Sequence, residues 1–92
     1  MDNVFVLYTC YTDAENEPCI YVSVYSDIEK AKAALEVVKN NTKREIDVII
    51  RDAEKELSLD DFTFEENERS YVVRNDDGDD YWEAYILEEK VQ

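Results

Sequence analysis

Two hydrophobic periods share this chain. Residues 3–11 (NVFVLYTCY) and 19–25 (CIYVSVY) are β-branched and aromatic, the signature of strands. Between them lies the polar, turn-forming TDAENEP, so the two runs are expected to form an antiparallel hairpin. A turn centred between Ala14 and Glu15 sets Cys10 opposite Cys19, Tyr8 opposite Tyr21 and Val4 opposite Tyr25. Side chains in a strand alternate between faces. One face then carries Phe5, Leu7, Ile20, Val22 and Val24 and belongs to the core. The other carries Val4, Val6, Tyr8, Cys10, Cys19, Tyr21, Ser23 and Tyr25. A slip of one residue would exchange these sets.

The period then lengthens. Ser26-Asp27-Ile28-Glu29 matches a capping box, and Ile28, Ala31, Leu35 and Val38 recur at helical spacing. Lys39-Asn40-Asn41 suits a helix end, because Asn tolerates the left-handed cap. Thr42-Lys43-Arg44-Glu45 is a second capping box, followed by a stripe of Ile46, Ile49, Ile50, Ala53 and Leu57. The pattern predicts helices over Ser26–Asn41 and Thr42–Leu57, although the β-branched run Ile46–Arg51 would also suit a strand. Residues 58–68 (SLDDFTFEENE) read as a connection anchored by Leu59, Phe62 and Phe64. A second hairpin follows, turning at Asp77-Gly78. Its pairing sets Tyr71, Val73, Trp82, Ala84 and Ile86 on a core face. Ser70, Val72, Arg74, Tyr81, Glu83 and Tyr85 fall on the other. The expected fold class is α+β, one domain over residues 1–92. It is a four-stranded, largely antiparallel sheet of two hairpins with two helices on one face, in the order ββααββ.

That arrangement places Tyr8, Tyr21, Tyr25, Tyr81 and Tyr85 on the sheet face away from the helices, among carboxylates. Tyrosine is also an ordinary strand residue whose hydroxyl prefers water, so a plain solvated face suits the same pattern.

Charge narrows the functional classes. Asp and Glu number 24 against 10 Lys and Arg, for a net −14 over 92 residues. The acids gather late: residues 56–92 hold 13 acids and 3 bases. Such a surface repels nucleic acid and anionic lipid and attracts basic partners. The sequence therefore predicts no direct nucleic-acid binding and no membrane association. Two cysteines, Cys10 and Cys19, are too few for a disulfide scaffold, and the N-terminus lacks a basic signal-peptide segment. A cytoplasmic protein with reduced thiols is the expectation. A cross-strand disulfide stays open if the two cysteines face each other.

Chemistry finds little support. There is no His, which removes the commonest general base and metal ligand. Neither cysteine has a base nearby in sequence to activate it. One glycine cannot build a phosphate-cradling loop. Asp76-Asp77-Gly78-Asp79-Asp80 invites a calcium reading. Aligning Gly78 with the glycine of an EF-hand loop, however, puts Val73 and Ala84 where acidic ligands are needed. The expectation is no enzyme, no cofactor and no metal site.

Small size, acidity, absent His and tyrosine-rich strands make the chain resemble phage-encoded inhibitors of host defence, the anti-CRISPR class among them. The resemblance spans the whole chain and is one of composition, since that class shares no motif or fold. The segment VYSDIEKAKAALE also resembles the strand-to-helix junction of small bacterial and phage domains, which implies no activity. The first resemblance implies a DNA-mimicking inhibitor whose partner is a basic protein, in the specific case a nucleic-acid-binding effector. Duplex DNA carries one negative charge per ~1.7 Å of axis, a density that clustered carboxylates approach. The expected contact residues are Tyr8, Tyr21, Tyr25, Asp76, Asp77, Asp79, Asp80, Tyr81, Glu83 and Tyr85. An ordinary acidic interaction domain or assembly subunit without mimicry is the alternative, and a small carboxylate-based enzyme or ion binder is the third reading. Oligomeric state stays open.

Overall fold

The computed structural model of the protein describes residues 3–13, 18–52, 58–76 and 80–90. Its elements run β1 (Asn3–Thr12), β2 (Cys19–Tyr25), α1 (Ile28–Asp52), a short 3-10 helix (Leu59–Asp61), β3 (Phe62–Asn67), β4 (Ser70–Asn75) and β5 (Tyr81–Lys90). The strands form one five-stranded sheet in the order β2-β1-β5-β4-β3, antiparallel throughout. Among the described residues one α-helix, α1, packs on one face. The α+β class and the antiparallel hairpins agree with expectation. The four strands, two helices and ββααββ order do not; the order is ββαβββ.

The two expected helices are one. Lys39, Asn40, Asn41 and Thr42 are all helical. Asn and Thr each cost about half a kcal/mol against Ala in a helix interior. Burial outweighs that cost. Ala31, Leu35, Lys39, Thr42 and Ile46 form one buried stripe across the predicted break. The stripe stays in phase at spacings of three and four, so a helix ending at Asn41 would forfeit Thr42 and Ile46 from it. The N-terminus is capped one residue later than expected. Asp27 Oδ1 accepts from the Glu29 backbone N–H at 2.7 Å, and the Ala31 N–H donates to the Asp27 carbonyl at 3.1 Å. The last five residues of the expected second helix, 53–57, lie outside the described residues.

The fifth strand comes from the expected connection. Phe62-Thr63-Phe64-Glu65-Glu66-Asn67 pairs with β4, Phe64 opposite Val73 and Glu66 opposite Tyr71. Asp and Glu are poor strand formers, which hid the alternation of Phe62 and Phe64. Ser58 starts this segment: its side chain accepts from Asp60 N–H, while its own N–H donates to Asp61 Oδ2 at 2.9 Å.

The second hairpin has the expected register, with Arg74 opposite Tyr81 and Val73 opposite Trp82. Tyr71, Val73, Trp82, Ala84 and Ile86 are buried as foreseen, and the core closes over them with Leu7, Leu35, Ile46 and Phe62. Phe5 and Ile50 are partly buried against it.

The first hairpin is shifted by one residue. Cys10 pairs with Ile20, Tyr8 with Val22, and Val6 with Val24. The slip exchanges the faces of β2. Cys19, Tyr21, Ser23 and Tyr25 turn to the helix side. Ile20, Val22 and Val24 turn to the bare side, where they are 63, 53 and 61% exposed. Tyr25 accounts for the parity: it packs against the core where the chain enters α1. Cys10 and Cys19 consequently lie on opposite faces, both free, and cannot bridge.

Candidate protein-docking face

Every strand presents half its side chains to the face without a helix. Tyr8 and Tyr85 are directly opposed in the β1–β5 pairing and stack at its centre, ring centroids 5.2 Å apart and planes 18° from parallel. Stacked rings bury each other's faces and leave edges and hydroxyls outward, a rigid platform with little rotamer entropy to lose. Toward the β4–β5 turn, the Tyr81 hydroxyl donates to Glu83 Oε2 at 2.8 Å. The Tyr81 pKa is raised, first by burial and then by the Glu83 hydrogen bond and charge, with Arg74 acting the other way. Glu65, Glu83 and Glu89 are the carboxylates of this face and Arg74 is its cation, by the pairings of β3, β4 and β5. At its corner Asp76 accepts from the Thr63 hydroxyl at 2.9 Å. Toward β2 the face becomes apolar: Val6, Ile20, Val22, Val24 and Leu87.

The predicted contact residues therefore divide. Tyr8, Tyr81, Glu83 and Tyr85 share the bare face, with Asp76 at its corner. Tyr21 and Tyr25 do not; the slip of β2 turns them to the helix side. Asp80 also turns there. It accepts from the Tyr11 hydroxyl at 2.9 Å and from Asn75 Nδ2 at 3.3 Å, which makes it a brace for the β4–β5 end of the sheet. Burial and the Asp80 contact push the Tyr11 pKa well above its ordinary value. Asp77 and Asp79 lie outside the described residues. Glu65 and the valines of β2 were missed. Alternation in β2 was legible, but its phase depended on the register.

A second concavity lies on the helix side, between α1 and the β1–β2 edge. It spans about 220 Å³ and is lined by Thr9, Tyr11, Thr42, Glu45, Tyr71 and Trp82 among others. Its polar groups are mostly engaged. Trp82 Nε1 donates to Glu45 Oε2 at 2.9 Å, and the Tyr11 ring lies 5.1 Å from that of Trp82. Among the described residues no group of three or more His, Cys, Asp or Glu converges as a metal ion would need. No helix among them is long and apolar enough to cross a membrane.

Comparison with protein-family models, with curated proteins and with solved structures returned no match.

Proposed function

We propose that the chain is an acidic binding module that docks through its bare sheet face onto a basic surface of a partner protein, a surface that itself binds nucleic acid. The observation that carries this reading is the face just described. A stacked tyrosine pair stands beside a Tyr81–Glu83 unit and is flanked by three carboxylates and one cation. Tyrosines of this kind supply contact area at interfaces, and the carboxylates supply attraction and orientation. The net charge of −14 extends that attraction beyond the contact. Asp80 is reassigned from contact to scaffold, and Glu65 takes its place among the contacts.

The test is capture of basic proteins from cells that carry the chain, at graded salt, with wild-type protein and two variants. Glu65→Lys/Glu83→Lys should slow association and weaken capture, and Tyr8→Ala/Tyr85→Ala should speed release. Both variants should keep the wild-type circular dichroism. Capture that survives both, or that strengthens with salt, refutes docking by this face.

A further inference from the structure

We propose that the outer edge of β2 is a dimerisation edge, at which two copies of this chain pair their β2 strands antiparallel into one ten-stranded sheet. A sheet edge offers unpaired N–H and C=O groups to any extended chain, and proteins guard such edges with charge, proline or cover. The two edges here are treated differently. β3 is guarded: it carries Glu65 and Glu66, and Lys39 reaches Glu66 at 3.0 Å. β2 has no Asp, Glu, Lys, Arg or Pro from Cys19 to Tyr25, and every residue from Cys19 to Val24 is exposed.

The helix adds a second, independent observation. Val37, Asn41, Arg44 and Val48 follow one another at offsets of 0, 4, 7 and 11, one flank of α1. The two valines are 57 and 53% exposed. Val37 lines a cleft with Ser23 and Tyr25, and Val48 lines one with Cys19 and Tyr21, which is itself 69% exposed. This flank, apolar at Val37 and Val48, stands beside β2, on the side where the next strand would lie.

A second copy fits better than another occupant because of where the charge sits. A two-fold axis perpendicular to the sheet keeps Ile20, Val22 and Val24 of both copies on one face and both helices on the other. The acid-rich strands are on the far side of each sheet. At a strand spacing of ~4.8 Å, the two β5 strands stand roughly 24 Å apart and the two β3 strands roughly 43 Å apart. Both exceed the Debye length of ~8 Å at physiological salt. A net −14 chain can thus meet itself here and at no acid-rich edge. The nearest like charges are Arg44 on each helix flank and Asp27 at the end of each β2, both few beside the acids of the far strands. Salt should therefore tighten the dimer, opposite in sign to the basic-partner complex proposed above, so the two ideas fail separately.

Sedimentation equilibrium with a thiol reductant, which rules out a Cys19 disulfide, tests this from about 5 to about 500 μM, the range for a modest interface. The expected result is a concentration-dependent rise from the 10.8 kDa monomer toward twice that mass, with a Kd that falls between about 0.02 and about 0.5 M salt. Val22→Lys should weaken the dimer roughly tenfold or more through like-charge juxtaposition. Val37→Lys on the helix flank should weaken it too, and hydrogen exchange across residues 19–25 should slow as dimer forms. Asp60→Asn, beside the far edge strand, should leave the Kd within a factor of two or so of wild type. A monomer throughout, leaving the edge to some other chain, overturns the proposal. So does a dimer indifferent to both lysine variants, or one that salt dissociates.

Discussion

Lys39 is where one continuous helix and two separate helices differ most in consequence. In a two-helix chain it belongs to an exposed helix end. Here its side chain is only 9% exposed, with Nζ 3.0 Å from Glu66 and 3.8 Å from Glu36. The ammonium also lies 5.9 Å over the Tyr71 ring. Replacing Lys39 with Ala removes three buried methylenes, worth ~0.8 kcal/mol each. It also removes a charge-assisted hydrogen bond, which would contribute ~1.5–3 kcal/mol if buried. Glu66 is 49% exposed, so water screens the pair and its contribution falls to about 1 kcal/mol or less. The expected cost of Lys39→Ala is therefore about 3 kcal/mol. Lys39→Met keeps most of the packed volume and should cost about 1 kcal/mol or less. Urea unfolding followed by Trp82 fluorescence measures both. If Lys39→Ala costs less than about 0.5 kcal/mol, the value for an ordinary surface position, the helix is broken here and the fold is wrong.

Three further outcomes follow from the interior. The Tyr71 hydroxyl is buried with no hydrogen-bond partner among the described residues, so Tyr71→Phe should leave stability unchanged or raise it by up to about 1 kcal/mol in the same urea assay. Asp80→Ala should cost about 1 kcal/mol, because it removes the hydrogen bonds that Asp80 accepts from the Tyr11 hydroxyl and the Asn75 amide. Tyr11, Tyr71 and Tyr81 have pKa values raised above the ordinary 10.0, chiefly by burial. The unfolded chain therefore loses these protons first, and stability should hold below pH 10 and fall as pH rises beyond it. Phenolate absorbance should show these three ionising together with loss of circular dichroism.

Much of the fold is written locally in the sequence, and the failures are all matters of long-range geometry. The β4–β5 hairpin was legible because the Asp77-Gly78 dipeptide is a turn signal in the sequence and the apolar positions alternate on both arms. The β1–β2 hairpin has no such turn dipeptide. A centre half a residue away sent Ile20, Val22 and Val24 to the bare face and withdrew Tyr21 and Tyr25 from it. β3 was hidden because Glu65, Glu66 and Asn67 are poor strand residues that β4 nonetheless pairs. The helix break was read from Asn40-Asn41 and a second capping box, local signals that a continuous buried stripe overrode. The Tyr8–Tyr85 pair was placed correctly on the bare face, yet its stacking depends on β1 lying beside β5, which no local pattern announces. Asp80 looked like one more solvated acid because its partner Tyr11 is 69 residues away.

Competition with duplex DNA decides whether the acidic face imitates nucleic acid or merely attracts basic proteins. A captured basic partner, held by the chain at low salt, is challenged with increasing duplex. Mimicry predicts that DNA displaces the chain in a one-for-one competition and that the chain reciprocally releases DNA already bound to the partner. A ternary complex, with the chain and DNA on the partner together, contradicts it.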